Sequence, residues 1–226
     1  MNKIVSGHQP NYLPYLGFFD KIKKSDVFFI LDEAQFSNGD FHNRNKIKAS
    51  TPLGYTWLTI PVEKKKIPIN KIKIKNEIKR SDKSWYEDHL IKIEDAYYKA
   101  PFFNDYFPEL RKFYETKRET LFDFNMPIIN FLLGAFNIKK EIVIASELGI
   151  KTLSTQRLVD ICKVLGADTY LSGDGGRNYI DEELFKKNNT HLIYQNYHHP
   201  KYPQQGDKFL SCMSAIDYLF NCGGSL

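Results

Sequence analysis

Five apolar residues in a row, Val27 to Leu31, follow closely on a stretch of helical periodicity, and this pairing constrains the fold more than any other feature. A strand with no polar position has no water-facing side, so it must be covered on both faces, as strands of parallel sheets are. Upstream, Tyr15 to Lys24 places Leu16, Phe18, Phe19 and Ile22 at helical spacing behind Pro14, and Lys3 to Ser6, with Val5, reads as a short strand. Strand, polar loop, helix and buried strand are the sequence form of a right-handed crossover between parallel strands.

The same alternation returns near the other end. Ile142 to Ala145 reads as a strand, and Ser154 or Thr155 caps a helix through Leu165 that Gly166 ends. Thr169 to Leu171 is a strand running straight into SGDGG, Tyr179 to Lys187 a short helix, His191 to Gln195 a strand and Ser214 to Phe220 a last helix. Strands and helices alternating at both ends argue for a three-layer α/β sandwich with a mainly parallel sheet.

The middle differs. Asp32 to Lys48 is polar and aperiodic and reads as one long loop, Tyr55 to Val62 as a strand, and the alternating isoleucines of Ile67 to Ile78 as a half-buried strand. Ser81 to Tyr98, capped by Ser81 or Asp82, predicts a helix with Trp85, Leu90, Ile93 and Tyr97 inward. Further helices, punctuated by Pro101, Pro108 and Pro127, run through Asn137. The expectation is a single domain over residues 1–226 with a helical insertion at 81–137, whose Phe and Tyr clusters form core.

A chain of 226 residues is long enough for one substantial core. Its 42% hydrophobic and 26% charged residues are ordinary for a globular chain and suggest neither disorder nor a membrane span. No run nears the roughly 18 apolar residues of a spanning helix, and with no signal-peptide pattern the expected location is cytoplasmic. Cys162, Cys212 and Cys222 are too few and too irregular for a disulfide framework or a paired-cysteine zinc site. The net charge of +5 is spread over lysine-rich surface segments, so nucleic acid is not implied by charge, while an anionic small molecule fits it.

Four polar segments could carry chemistry. In an open parallel sheet the ligand crevice lies beyond the carboxyl ends of the strands, where HQPN falls: His8 can serve as acid, base or phosphate donor, and Gln9, Asn11 and Tyr12 supply hydrogen bonds. Asp32 and Gln35 follow the second strand, and beyond them Asn43, Arg44, Lys46 and Lys48 form either a ligand clamp or a solvated basic loop. The turn of Gly173, Asp174, Gly175, Gly176 and Arg177 is either an anion cradle or a tight structural turn. His198 and His199, candidates for substrate or phosphate binding, are adjacent and point to opposite sides of an extended chain, so one of them can reach the crevice and no shared metal site is expected.

The blocks GHQPNYLPYLGFF, LDEAQFS, HNRNKIK, LTIPV, SGDGG, YHHPKYPQ and SAIDYLFNCGG resemble the WbqC-like protein family from Lys3 to about Gly224. That resemblance implies a bacterial protein of O-antigen or other surface-polysaccharide gene clusters, where a member has been proposed to be a glycine transferase acting on an amino sugar. The first block is also similar to the HxGH region of nucleotidylyltransferases and pantothenate synthetase, with Asn11 or Tyr12 in place of the second histidine. This second likeness implies a Rossmann-like, HUP-like sheet and ATP with Mg²⁺ as a means of activating a carboxylate.

The expectation is therefore an enzyme that joins a small acyl group, such as glycyl, to the amino group of a nucleotide-linked deoxyamino sugar. His8, Asp32 and Asp174 would do acid, base and orienting work, and the glycine turn and Arg44 would hold phosphates. ATP-made adenylate, acyl-CoA and aminoacyl-tRNA remain open as donors. A non-catalytic sugar-nucleotide binder and a nucleotidyltransferase are the competing readings.

Overall fold

A computed structural model of the chain describes residues 3–80 and 82–226, with only the backbone of Arg80. In chain order the elements are β1 (Ile4–His8), α1 (Leu16–Lys23), β2 (Val27–Ile30), β3 (Arg44–Lys48), β4 (Tyr55–Thr59), β5 (Lys79–Arg80) and β6 (Lys83–Ser84). Three helices follow, α2 (Trp85–Tyr97), α3 (Phe103–Glu115) and α4 (Leu121–Ala135). The chain then runs through β7 (Glu141–Ile144), α5 (Ser154–Val164), β8 (Thr169–Ser172), α6 (Glu182–Lys187), β9 (His191–Tyr194) and α7 (Ala215–Cys222). Among the described residues no helix is long and apolar enough to cross a membrane.

The elements form two compact units. The first takes in Met1–Gln9, Gly17–Glu33 and Lys139–His198. It is built on a five-stranded sheet in the order β7-β2-β1-β8-β9, every neighbouring pair parallel. β2 is buried along its whole length because it lies between β7 and β1 with a layer on each face. Phe28 meets the Phe18 ring of α1 at 5.4 Å on one face. Val27 and Phe29 turn to the other, into a cluster with Val5, Leu158, Ile161, Tyr170 and Phe185. Helices on both faces make this unit a three-layer, Rossmann-like sandwich, as the alternation predicts.

Gly7 is fixed by that packing. A Cβ at residue 7 would lie 2.2 Å from the Phe29 ring, so the missing side chain is the space in which Phe29 sits. Phe29 in turn stacks on Tyr170, and Tyr170 on Phe185, at centroid distances of 6.3 and 5.5 Å.

The second unit comprises Pro10–Leu16, Ala34–Ile138 and His199–Leu226. β3 and β4 form an antiparallel hairpin, and α3 packs on α2, α4 and α7. The aromatic residues are core here: Trp85 meets Phe124 at 5.2 Å, and Phe103 meets Phe107 at 4.4 Å and Phe220 at 5.3 Å. Along α2, Trp85, Ile93 and Tyr97 are buried as the spacing predicts, His89 joins them fully buried, and Leu90 is half-buried.

Five local expectations are corrected. The polar stretch to Lys48 is not all loop, because Arg44–Lys48 pairs with Tyr55–Thr59 and buries Asn45 and Ile47. The stretch 67–78 makes a 3₁₀ turn at Ile69–Lys71 and isolated bridges at Pro68, Lys73 and Ile74. Its isoleucines 69, 72 and 74 are buried and the lysines between them exposed, but the chain changes partner too often to form a ladder. Ser81 lies outside the described residues and Asp82 sits in a left-handed turn at φ 66°. The cap of α2 is Ser84, in a capping box with Glu87. α5 has Leu153 at its N-cap, and Thr155 instead accepts from the Asp181 N–H at 3.1 Å. After the glycine turn comes a 3₁₀ turn, Asp174–Asn178, and α6 starts only at Glu182 behind the Asp181 cap.

Candidate functional site

The strand order of the first unit marks a candidate site by topology. From β1 the chain moves outward to β2 and β7, then crosses back to β8 and β9 on the other side of β1. The reversal falls between β1 and β8, and ligands of open α/β sheets bind beyond the carboxyl ends of strands at such a point. His8 ends β1, and Ser172, Gly173 and Asp174 follow one another off the end of β8. With Ser6 opposite Leu171, the same register carried two residues on sets His8 level with Gly173.

His8 is half-buried, its ring edge-on to Phe18 at 5.4 Å and its Nδ1 3.1 Å from the Gln9 carbonyl oxygen. If Nδ1 donates there, Nε2 is the basic nitrogen of the ring. Asp32, buried two residues beyond β2, accepts from the Ser146 N–H at 3.1 Å. Asp174 is exposed and accepts the Asn196 and Tyr197 N–H groups at 3.1 and 3.3 Å, tying the glycine turn to the segment after β9. Arg177 lies over the Tyr194 ring at 3.8 Å and donates to Asn196 Oδ1. Gly176 packs so tightly that a Cβ would stand 2.1 Å from Ser172 Oγ, whereas Gly175 faces open space. His198 is exposed at the end of this unit.

One side chain beneath this edge escapes a reading of motifs. Lys21 of α1 is only 4% exposed and donates from Nζ to the Gly7 carbonyl oxygen at 2.8 Å. Its Nζ stands 3.5 Å from where a Cβ on Gly173 would be. Burial pushes its pKa down from 10.5 to about 7, with Asp174 pulling the other way. The signal was present in the periodicity, since Lys21 lies three residues after Phe18 and beside Ile22, on the buried side of the helix.

The remaining sequence candidates belong to the second unit. Asn43 donates to the Ile60 carbonyl at 2.8 Å, and Asn45 to the carbonyls of Leu13 and Tyr12 at 2.6 and 3.4 Å, so both amides hold backbone. Tyr12 is fully buried, its hydroxyl bonded to Tyr114 and, at 3.0 Å, to His89 Nδ1, and burial raises its pKa. Asn11 is buried as well, and among the described residues its Oδ1 has no hydrogen-bond partner. Arg44 lies over Trp57 at 4.0 Å and Lys46 over Tyr55 at 5.2 Å, on one side of the hairpin. Gln35 borders a cleft of about 350 Å³ with Phe36, Ser37, Asn38 and Lys64, Lys65 and Lys66. His199 Nε2 accepts from the Cys212 N–H at 3.4 Å, and burial lowers its pKa. Among the described residues no three His, Cys, Asp or Glu side chains are grouped as a metal site requires.

The first unit thus carries His8, Gln9, Asp32, the glycine turn, Arg177 and His198, and the second Asn11, Tyr12, Gln35, Asn43, Arg44, Lys46 and His199. A parallel, three-layer α/β sheet with ionisable side chains along its carboxyl edge defines the class. The chain belongs to the WbqC-like protein family, matching it over residues 9–225. It is 30% identical over 223 residues to Rv1507c of Mycobacterium tuberculosis, named as an uncharacterized protein, covering 98% of this chain and 94% of that one. No solved structure matches the chain.

Proposed function

We propose that the carboxyl edge of the parallel sheet holds the phosphates of a nucleotide, and that the protein, acting in the cytoplasm, joins a small acyl group such as glycyl to the amino group of a nucleotide-linked deoxyamino sugar. The observation that carries this reading is the placement of His8 and the Gly173–Asp174 turn on adjacent strand ends at the topological switch point. Membership of the WbqC-like family supports the polysaccharide context.

In the proposed step the sugar amine attacks the carbonyl of an activated acyl donor, a C–N bond forms, and the bond to the donor's leaving group breaks. The amine proton passes to His8 Nε2 and on to the leaving group. Asp174, held by two backbone N–H groups, orients the amine, and Asp32 supports the loop after β2 through Ser146.

A thermal-shift screen against ATP with Mg²⁺, acetyl-CoA, and UDP- and dTDP-linked amino sugars tests binding, because a ligand of the native state raises the midpoint by mass action. Stabilisation by a sugar nucleotide, with amide formation that His8→Ala and Asp174→Asn abolish, is the expected result. Binding of the sugar nucleotide with no transfer from any donor favours the non-catalytic binder. Release of pyrophosphate from a nucleoside triphosphate and a sugar phosphate favours the nucleotidyltransferase.

A further inference from the structure

A fully charged lysine has three N–H donors, and burying it without partners for them is costly. Among the described residues Lys21 spends one donor, on the Gly7 carbonyl oxygen at 2.8 Å, while only 4% of the residue is exposed. Among the described residues no carboxylate lies within ion-pair distance of its Nζ. Structural lysines tend instead to carry the ammonium to water along a buried stem. Lys21 holds it under the carboxyl ends of β1 and β8, where a Cβ on Gly173 would stand 3.5 Å from Nζ and the glycine has no side chain to cover the amine.

We infer that Lys21 is the buried cation of the nucleotide site, and that its two remaining N–H donors receive phosphoryl oxygens of a nucleoside diphosphate moiety lying over Gly173. This rests on the reading of the carboxyl edge as the nucleotide site and adds a specific contact to it. A diphosphate fits better than a neutral sugar because it supplies both the acceptors and the charge that the buried amine lacks.

The groups around the amine set the sign of the pH dependence. From the turn after β8 comes Asp174, which favours the charged form. On its own helix Asp20 is engaged by Lys24 at 2.8 Å and by Gln195. β1 brings His8, one residue beyond the carbonyl that Lys21 binds; β2 brings the Phe28 ring, 6.0 Å from Nζ; and β8 ends in the neutral Ser172. Burial outweighs Asp174 and brings the pKa of the amine down to about 7. A bound diphosphate favours the ammonium, so binding above that pH takes up close to one proton and weakens by up to about tenfold per pH unit.

Isothermal titration with UDP and with ATP at pH 8, in HEPES and in Tris, reads that proton from the difference in apparent enthalpy. We expect uptake of 0.7–1 proton (about the fraction a base of pKa 7 lacks at pH 8), lost in Lys21→Met together with at least about tenfold in affinity. The stronger of the two ligands tells a sugar-nucleotide site from an ATP site. Gly173→Val, at a backbone φ of −67° that tolerates a side chain, should block binding with Lys21 intact, and carries the test if Lys21→Met fails to fold. Nucleotide binding without proton uptake, or unchanged in both variants, overturns the role of Lys21 and leaves the proposed function standing. Failure of the wild-type protein to bind either nucleotide overturns both.

Discussion

The Nζ of Lys21 and the carbonyl oxygen of Gly7 stand 2.8 Å apart, joining helix α1 to the central strand of the parallel sheet through a side chain that water barely reaches. The lysine is more basic in the unfolded chain, where its pKa is the ordinary 10.5, than in the fold, where it is about 7. The unfolded state therefore binds the extra proton between these values, and the penalty of burying the charge is full below pH 7 and relieved as pH rises toward 10.5. In ligand-free protein this residue alone should raise stability by about 1.4 kcal/mol per pH unit through that window. Urea denaturation at pH 7, 8 and 9 should show a steeper rise for the wild type than for Lys21→Met. Parallel curves would mean that the amine reaches water.

Phe29 fills the space above Gly7, and an added methyl group would have to displace an aromatic ring wedged against Tyr170. Gly7→Ala should therefore cost about 1–3 kcal/mol or more, as overpacking of a tight core does. Phe29→Leu in the same chain should recover part of that loss, a coupling that a double-mutant cycle of thermal or urea midpoints would measure. Additive losses would show that residue 7 and residue 29 do not compete for one volume.

The α/β part of the fold was legible because burial on two faces leaves a plain mark. Val27 to Leu31 carries no polar residue, and β2 is the strand flanked by β7 and β1. β3 was not legible, because Asn45 occupies an inward position that a strand pattern reserves for an apolar side chain, and its reason for being there, two carbonyls at residues 12 and 13, is distant in sequence. The isoleucines at 69, 72 and 74 gave a strand-like alternation, but Pro68 precedes a 3₁₀ turn and the neighbours supply bridges rather than a ladder. At the proposed site, His8 and the glycine turn were visible as polar breaks after apolar strands. Lys21 was passed over because a lysine on an amphipathic helix ordinarily faces solvent, although its spacing from Phe18 already set it on the buried side.

Tyr12, a polar residue in the first conspicuous motif, is tied into the second unit through His89 and Tyr114. His89 Nε2 accepts from the Thr59 N–H at 3.0 Å, so Nδ1 carries the proton of the neutral ring and donates to Tyr12. Tyr12→Phe strips both His89 and Tyr114 of a partner in a buried setting and should cost about 1–3 kcal/mol. A thermal midpoint within a degree of wild type, with weakened ligand binding, would instead place Tyr12 in a binding role.

Asn45 offers a sharper test through charge. Its amide nitrogen faces the carbonyl oxygens of Leu13 and Tyr12, and the first of these residues is held at a left-handed φ of 44°. Asn45→Asp would set a carboxylate against two carbonyls where almost no water enters, so the folded chain should keep that carboxyl protonated well above the unfolded value of about 3.9. A raised folded pKa means stability that is present at low pH and lost as pH rises through it. The variant should therefore fall progressively further behind wild type between pH 5 and pH 8, while Asn45→Ala loses about 1–3 kcal/mol at both. The check is the urea midpoint of each variant relative to wild type at the two pH values. A constant deficit for Asn45→Asp would show that the loop after residue 10 moves away from the new charge instead of confining it.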